Sequence, residues 1–297
     1  MVDWKSPAVI AQCYTAYLKV CNCAFGFFVW EFIKTWDFEW QILTRKRQFK
    51  WPLIFYFANR YVYLIHSILL LLFTNSSTAH PWNNCQDLFI SLIAFSNLSL
   101  GLASANLAIR TLAVWNFNRC LSFLVTVLIG GHWIFGLTLA CSYKATWAPG
   151  IGCIPRQDHF VLSAALSIYT VSFDGLMLIL NAYKLGFRTS TTLQVMAATT
   201  GRKWTLTSVV MFHGSSYFII SFLINLSFII VILLDWNVGV ISLVGVSTAV
   251  VSTVVACRAV RSLALFFQPN EEFRASWFSR QFIDFFQIEM VSHKESS

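Results

Sequence analysis

Charge is scarce in this chain. Only 11% of its 297 residues are charged, against 57% that are hydrophobic. A soluble domain needs roughly 25% charged residues to solvate its surface, so this composition excludes an ordinary water-soluble fold. Breakers are also few, with 13 glycines and 6 prolines. Metal and redox signatures are absent. The six histidines show no HxxxH or HExxH spacing, and the eight cysteines contain no CxxC. No zinc hydrolase is indicated, and neither a glycine-rich phosphate loop nor a nucleophile elbow is present. The residues therefore predict no enzyme and no cofactor. The net charge of +8 comes without an RNA- or DNA-binding signature, so nucleic acid is not an expected partner.

What the chain does have is a series of apolar runs near the ~20 residues that cross a bilayer. The runs are continuous, unlike the alternating strands of a barrel. Seven transmembrane helices are predicted: about Ala8–Ile33, Pro52–Phe73, Gln86–Val114, Cys120–Cys141, Phe160–Tyr183, Ser208–Leu234 and Val238–Cys257. The first is read as a retained helix, because Met1–Ala8 offers no basic region and no clear small-residue cleavage site. Trp36–Trp51 is too charged to span, and Ser142–His159 carries Pro149, Gly150, Gly152 and Pro155. Trp30, Trp36, Trp51, Trp82, Trp115, Trp147, Trp204 and Trp236 cluster near the run ends, as in an aromatic belt. The expected architecture is an all-α, multi-pass membrane protein: a seven-helix domain over residues 8–258 and a tail over 259–297.

Lysine and arginine set the expected orientation. Three (Lys5, Lys144 and Arg156) fall on the side of the N-terminus, sixteen fall on the other side, and Lys19 and Arg60 lie within helices. By the positive-inside tendency, the N-terminus is outside and the tail cytoplasmic. The host membrane is the plasma membrane or an endomembrane, and the bilayer is the first partner.

The stretch FEWQILTRKRQFKWPLIFYFANRY (Phe38–Tyr61) resembles the signature of a large fungal family, typical of basidiomycetes, of seven-helix membrane proteins of unknown function. Further similar segments are GLASANLAIRTLAVWNFNR (Gly101–Arg119), GHW (Gly131–Trp133), TWAPGIGC (Thr146–Cys153), Phe173-Asp174 and STVVACRAVR (Ser252–Arg261). The resemblance covers nearly the whole chain and implies the architecture, not an activity. Where an Arg-Asp-Gly-like start of helix 6 would be expected, this chain has Phe212, His213 and Gly214, so no acidic role carries over there.

Ionisable groups inside a membrane are functional candidates. Counted from the cytoplasmic end at 1.5 Å per residue, Arg60 lies roughly 12 Å deep, Asn106 roughly 13 Å, Asp174 roughly 15 Å and His132 roughly 18 Å. With Arg110 at the inner end of helix 3, they form the expected intramembrane polar cluster, in which one or more of the four others would satisfy Asp174. Three roles are open for it: a structural lock, a switch, or an ion path. Arg110 matches, in position alone and without an Asp-Arg-Tyr pattern, the arginine with which heptahelical receptors engage cytoplasmic partners, and an ordinary positive-inside interface residue is the favoured explanation. The last helix, Val238–Cys257, has no lysine, which excludes a retinal Schiff base.

Cys85 and Cys153 both fall on the expected outer side, where disulfides persist, and are the expected bridge. Asn75 opens an Asn-Ser-Ser sequon a few residues from the end of helix 2; its glycosylation is left open. The leading functional expectation is a receptor-like heptahelical protein with an outer ligand of unknown identity and a cytoplasmic signalling partner. The alternatives are a small-solute or ion transporter and a non-signalling structural or lipid-organising protein.

Overall fold

A computed structural model describes residues 6–46, 51–75, 85–148, 152–156, 160–198, 206–234 and 237–266. Helices dominate: α1 (Pro7–Lys34), α2 (Trp36–Leu43), α3 (Pro52–Asn75), α4 (Cys85–Val114), α5 (Arg119–Ser142), α6 (Phe160–Ala198), α7 (Leu206–Leu233) and α8 (Val238–Phe266). All but α2 are long and apolar enough to cross a membrane, seven in total. The protein is a seven-helix integral membrane bundle. The chain divides into two compact units, Met1–Val260 and Arg261–Ser297. Of the second, the described residues are the end of α8, to Phe266.

The helix ends follow from local chemistry. Pro7 opens α1, where its missing N–H costs nothing. Asn118 caps α5 by accepting from the Cys120 N–H at 3.0 Å, and Asn237 caps α8 by accepting from Gly239 N–H at 2.7 Å and Val240 N–H at 3.2 Å. The short α4–α5 reversal uses two consecutive left-handed residues, Asn116 and Phe117, with φ of 52° and 51°. Asparagine tolerates this backbone, whereas phenylalanine is disfavoured there by roughly 1–2 kcal/mol. The Phe117 ring packs edge-on against Trp51, centroids 5.9 Å apart.

Four features depart from the expected outline, the first being that α8 runs on to Phe266, past the expected end at Cys257 and into the expected tail. The charged stretch after α1 contains a helix, α2, which buries Phe38, Glu39 and Ile42 and exposes Trp36, Trp40 and Leu43. The loop between α5 and α6 contains an antiparallel hairpin, β1 (Lys144–Ala148) with β2 (Gly152–Arg156), in the register Thr146↔Ile154. Helix α6 continues to Ala198 instead of stopping at Tyr183.

Helix α4 is the hub, packing against α3, α5, α6 and β1. Gly101–Leu112 is buried without interruption, so no face of that stretch meets lipid. Two apolar clusters fill the interior. One gathers Cys21, Phe28, Tyr63, Phe89 and Val250. The other gathers Leu107, Val125, Phe173, Met177 and Phe218. Contact between α4 and α5 is close at Gly101, where a Cβ would sit 2.6 Å from Trp133 Cδ1 and 2.7 Å from His132 Cδ2.

Candidate functional site

Among the described residues three acids are buried in this apolar bundle, Glu31, Glu39 and Asp174, and they are treated differently. Glu39, on α2, ion-pairs with Arg60 of α3, Nε to Oε1 at 2.8 Å, both side chains nearly inaccessible. Arg60 also donates to Tyr56 Oη at 2.7 Å, to Thr35 Oγ1 and to the Phe32 carbonyl. Its guanidinium lies 4.0 Å from the centroid of the Phe32 ring. Tyr61 Oη donates to the other Glu39 oxygen at 3.1 Å. The planar fork of an arginine suits such multipoint binding, and the result fastens α1, α2 and α3 together. Glu31, on α1, receives two bonds from Arg258 of α8, Nε to Oε1 at 3.1 Å and Nη2 to Oε2 at 2.8 Å.

Asp174, on α6, is the third, and it is 4% exposed. Its Oδ1 accepts from Ser104 Oγ of α4 at 3.0 Å. Its Oδ2 accepts from Ser221 Oγ at 3.2 Å and from Asn225 Nδ2 at 2.8 Å, both on α7. Asn225 also donates to Ser221 Oγ at 3.5 Å. Among the described residues, every group that bonds this carboxylate is neutral. The site joins α4, α6 and α7 at one point inside the bundle.

The expected polar cluster is therefore dispersed. Arg60 is committed to Glu39. Asn106 donates to the Phe55 carbonyl of α3 at 3.2 Å, which helps join α4 to α3. Arg110 is buried with its guanidinium 6.0 Å from the centroid of Tyr217. His132 Nδ1 lies 3.5 Å from Thr170 Oγ1, joining α5 to α6. None of these four hydrogen-bonds to Asp174, whose bonds among the described residues go to Ser104, Ser221 and Asn225 instead. The physical reason is helix rotation: equal depth does not put side chains on facing surfaces.

Sequence reasoning passed over Glu31, Glu39, Ser104, Ser221 and Asn225. A signal existed for two of them. Ser221 and Asn225 are four apart, hence on one face, within a strongly apolar run. Glu39 lies inside the FEW segment, in a stretch treated as loop because of its charge.

Other polar links distribute the same role. Ser99 Oγ lies 3.2 Å from Thr253 Oγ1 and donates to Asn59 Oδ1 at 3.4 Å, connecting α3, α4 and α8. Asn181 Nδ2 donates to Thr111 Oγ1 at 2.6 Å, connecting α6 to α4. Gln86, one residue into α4, holds the start of β1: its Nε2 donates to the carbonyl of Tyr143, just before the strand, at 2.8 Å, and its Oε1 accepts from the Ala145 N–H at 2.6 Å.

Among the described residues Cys13, Cys21, Cys23, Cys120 and Cys141 carry free thiols, and the Cys257 Sγ accepts from Asn59 Nδ2 at 3.7 Å. Cys85 opens α4 and is buried, and the Cys153 backbone pairs with Trp147 in the hairpin. The side chains of Cys153, of Asn75 at the end of α3, and of Phe212 and His213 lie outside the described residues. Among the described residues no group of three or more His, Cys, Asp or Glu side chains could hold a metal ion.

No protein-family model matches the chain, and no curated protein matches it in sequence.

Proposed function

We propose that the chain is a receptor-like heptahelical membrane protein without enzymatic activity, in which the helices around Asp174 rearrange to couple an outer-side ligand to cytoplasmic partners. The observation that carries this reading is the contrast among its buried acids. Glu31 and Glu39 are held by arginines, as befits fixed locks. Asp174 is held by two hydroxyls and a carboxamide from α4 and α7. Neutral hydrogen bonds can be exchanged for others at modest cost, about 0.6 kcal/mol each on average in membrane interiors. Such a junction suits a two-state element.

The lysine and arginine bias supports an outer N-terminus and a basic cytoplasmic face formed by the segments between α1 and α3, between α4 and α5, and between α6 and α7. The resemblance of Phe38–Tyr61 to the fungal seven-helix family supports the architecture and assigns no activity. A bridge between Cys85 and Cys153 belongs to this reading. It is supported by the hydrogen bonds of Gln86, which fasten the hairpin beside the start of α4. Both the plasma membrane and an endomembrane fit.

The test is a spin-label distance measurement on the full chain in nanodiscs. Labels go on Phe123→Cys of α5 and Leu223→Cys of α7, both exposed, with exposed Cys23, Cys120 and Cys141 replaced by serine. Two discrete distance populations are expected. Their ratio should shift by about fivefold or more on Asp174→Asn, the low end of ordinary allosteric coupling. A single distribution that the substitution leaves unchanged overturns the switch and favours the structural, lipid-organising reading.

A further inference from the structure

We propose that Asp174, Ser104, Ser221 and Asn225 form a binding site for a dehydrated monovalent cation, sodium in preference to potassium. The inference stands apart from the receptor reading, since it concerns what neutralises the site and not what the site signals.

The first support is charge. An ionised carboxylate buried away from water is strongly disfavoured unless it is paired. This bundle obeys that rule at Glu31 and Glu39, each paired with an arginine. At Asp174 the donors are Ser104, Ser221 and Asn225, and none of them carries charge. Among the described residues no basic side chain forms an ion pair or hydrogen bond with it.

The second support is the donor set. Hard cations are held by oxygen, and every side chain at this point can offer one. The two Asp174 oxygens are joined by Ser104 Oγ and Ser221 Oγ, hydroxyls with lone pairs to spare. Asn225 presents its nitrogen to Asp174 Oδ2, and a half-turn of its amide presents Oδ1 instead, a rotation that exchanges donor for acceptor without moving the helix. The four residues thus supply five oxygens from α4, α6 and α7. Hydroxyl rotation and the amide flip are the only side-chain changes that binding requires beyond a slight opening.

The third support is valence and size. The site carries one formal negative charge. A monovalent ion brings it to neutrality, whereas a divalent ion would leave a buried positive charge. Metal sites for divalent ions recruit further carboxylates or histidines, and no group of three or more such residues occurs among the described residues. The donors already lie 2.8–3.2 Å from the carboxylate oxygens, so the smaller alkali ion needs the least outward movement.

The experiment measures binding of radioactive sodium to the purified full chain in nanodiscs, with total ionic strength held constant by choline chloride. The expected result is saturable binding that unlabelled sodium displaces, potassium displaces poorly and choline does not. Asp174→Asn should weaken binding by about tenfold or more, equivalent to about 1.4 kcal/mol. Ser104→Ala keeps the carboxylate and removes one ligand. It should weaken binding by about fivefold, in line with one lost polar contact of roughly 1 kcal/mol, and it decides the matter if Asp174→Asn does not fold. Asn225→Asp adds a second carboxylate and should let calcium compete with sodium, as calcium does not in the unaltered chain. Non-saturable binding by the unaltered chain overturns the proposal. So does unchanged binding in Asp174→Asn or Ser104→Ala. A thermal stability that responds to pH and not to sodium also overturns it, because a proton would then be the neutralising ion. None of these readouts depends on helix movement, so failure here is distinguishable from failure of the switch.

Discussion

Glu31 and Arg258 lie 227 positions apart and meet through two parallel hydrogen bonds, of 3.1 and 2.8 Å, that tie the first membrane helix to the last. A bidentate arginine–carboxylate pair is among the stronger polar contacts. This one is partly accessible, since the Arg258 side chain is 28% exposed and the Glu31 side chain 9%. Breaking a fully buried pair by removing one partner costs about 3–5 kcal/mol, and exposure lowers that figure. Arg258→Met should therefore destabilise the bundle by about 1–3 kcal/mol. Glu31→Gln should cost a similar amount, and the double variant less than the sum. Thermal melts of the three variants in one detergent check this. Strict additivity would show that the pair contributes no coupling.

Arg60 has more to lose. Its guanidinium serves Glu39, Tyr56, Thr35 and the Phe32 carbonyl at once. A lysine keeps the charge but replaces a planar fork with a point donor. Arg60→Lys is expected to lower stability measurably, by about 1–3 kcal/mol for the bonds it leaves unmade. Arg60→Met should cost about 3–5 kcal/mol by stranding Glu39. The recovery of monodisperse protein after extraction should follow the same order. Equal melting temperatures for the lysine variant and the unaltered chain would mean that Arg60 acts through charge alone.

Gly101 marks where α4 and α5 come together. A Cβ there would overlap Trp133 and His132, whereas one at Gly130 would meet nothing within 4 Å. Gly101→Val is expected to destabilise by about 1–3 kcal/mol through overpacking. Gly130→Ala should be neutral or stabilise by up to about 1 kcal/mol, because alanine is the better helix former. Melting both variants side by side tests whether α4–α5 contact is as tight as described. A tolerated Gly101→Val would show that the helices can separate there.

The seven spans were legible in the sequence because each is a continuous apolar run bounded by charge or by Gly and Pro. Helix α2 was not, because Arg45, Lys46, Arg47 and Lys50 mark Trp36–Trp51 as a segment that cannot span. Yet Phe38, Glu39 and Ile42, spaced three and four apart, form the face that it buries. The residues that satisfy Asp174 were harder still. Depth along a helix follows from counting, but rotation about the axis follows from a one-sided apolar stripe. Helix α4 is buried all round over Gly101–Leu112, and α7 is apolar nearly throughout. Neither declares which side faces Asp174. The partners therefore differ from the expectation, with Ser104, Ser221 and Asn225 standing where Arg60, Asn106, Arg110 or His132 was expected.

Orientation can be tested directly. The lysine and arginine bias predicts sixteen of these residues on the side opposite Lys5, Lys144 and Arg156, so tags at residue 1 and residue 297 should differ in protease access on intact cells. The tag at residue 1 should be cleaved and that at residue 297 protected. The reverse pattern would invert the topology and place the hairpin in the cytoplasm.

That orientation governs the last expectation, a disulfide between Cys85 and Cys153. The hairpin lies between α5 and α6, and Gln86 grips its first strand through the Tyr143 carbonyl and the Ala145 N–H. Cys85, the neighbouring residue, is the first of α4. Cys153 stands on the second strand, opposite Trp147. A covalent tie would add to the Gln86 bonds and restrict a segment with little apolar surface of its own. Its contribution would be about 2–4 kcal/mol. On the oxidising side of a membrane such a bond persists, and on the cytoplasmic side thiols stay reduced. Protein alkylated at harvest and digested without reduction should yield one linked peptide pair containing both residues. Cys85→Ser and Cys153→Ser should each lower the melting temperature, and the double variant no further, because either change alone removes the bond. Recovery of both residues as alkylated free thiols would overturn the pairing.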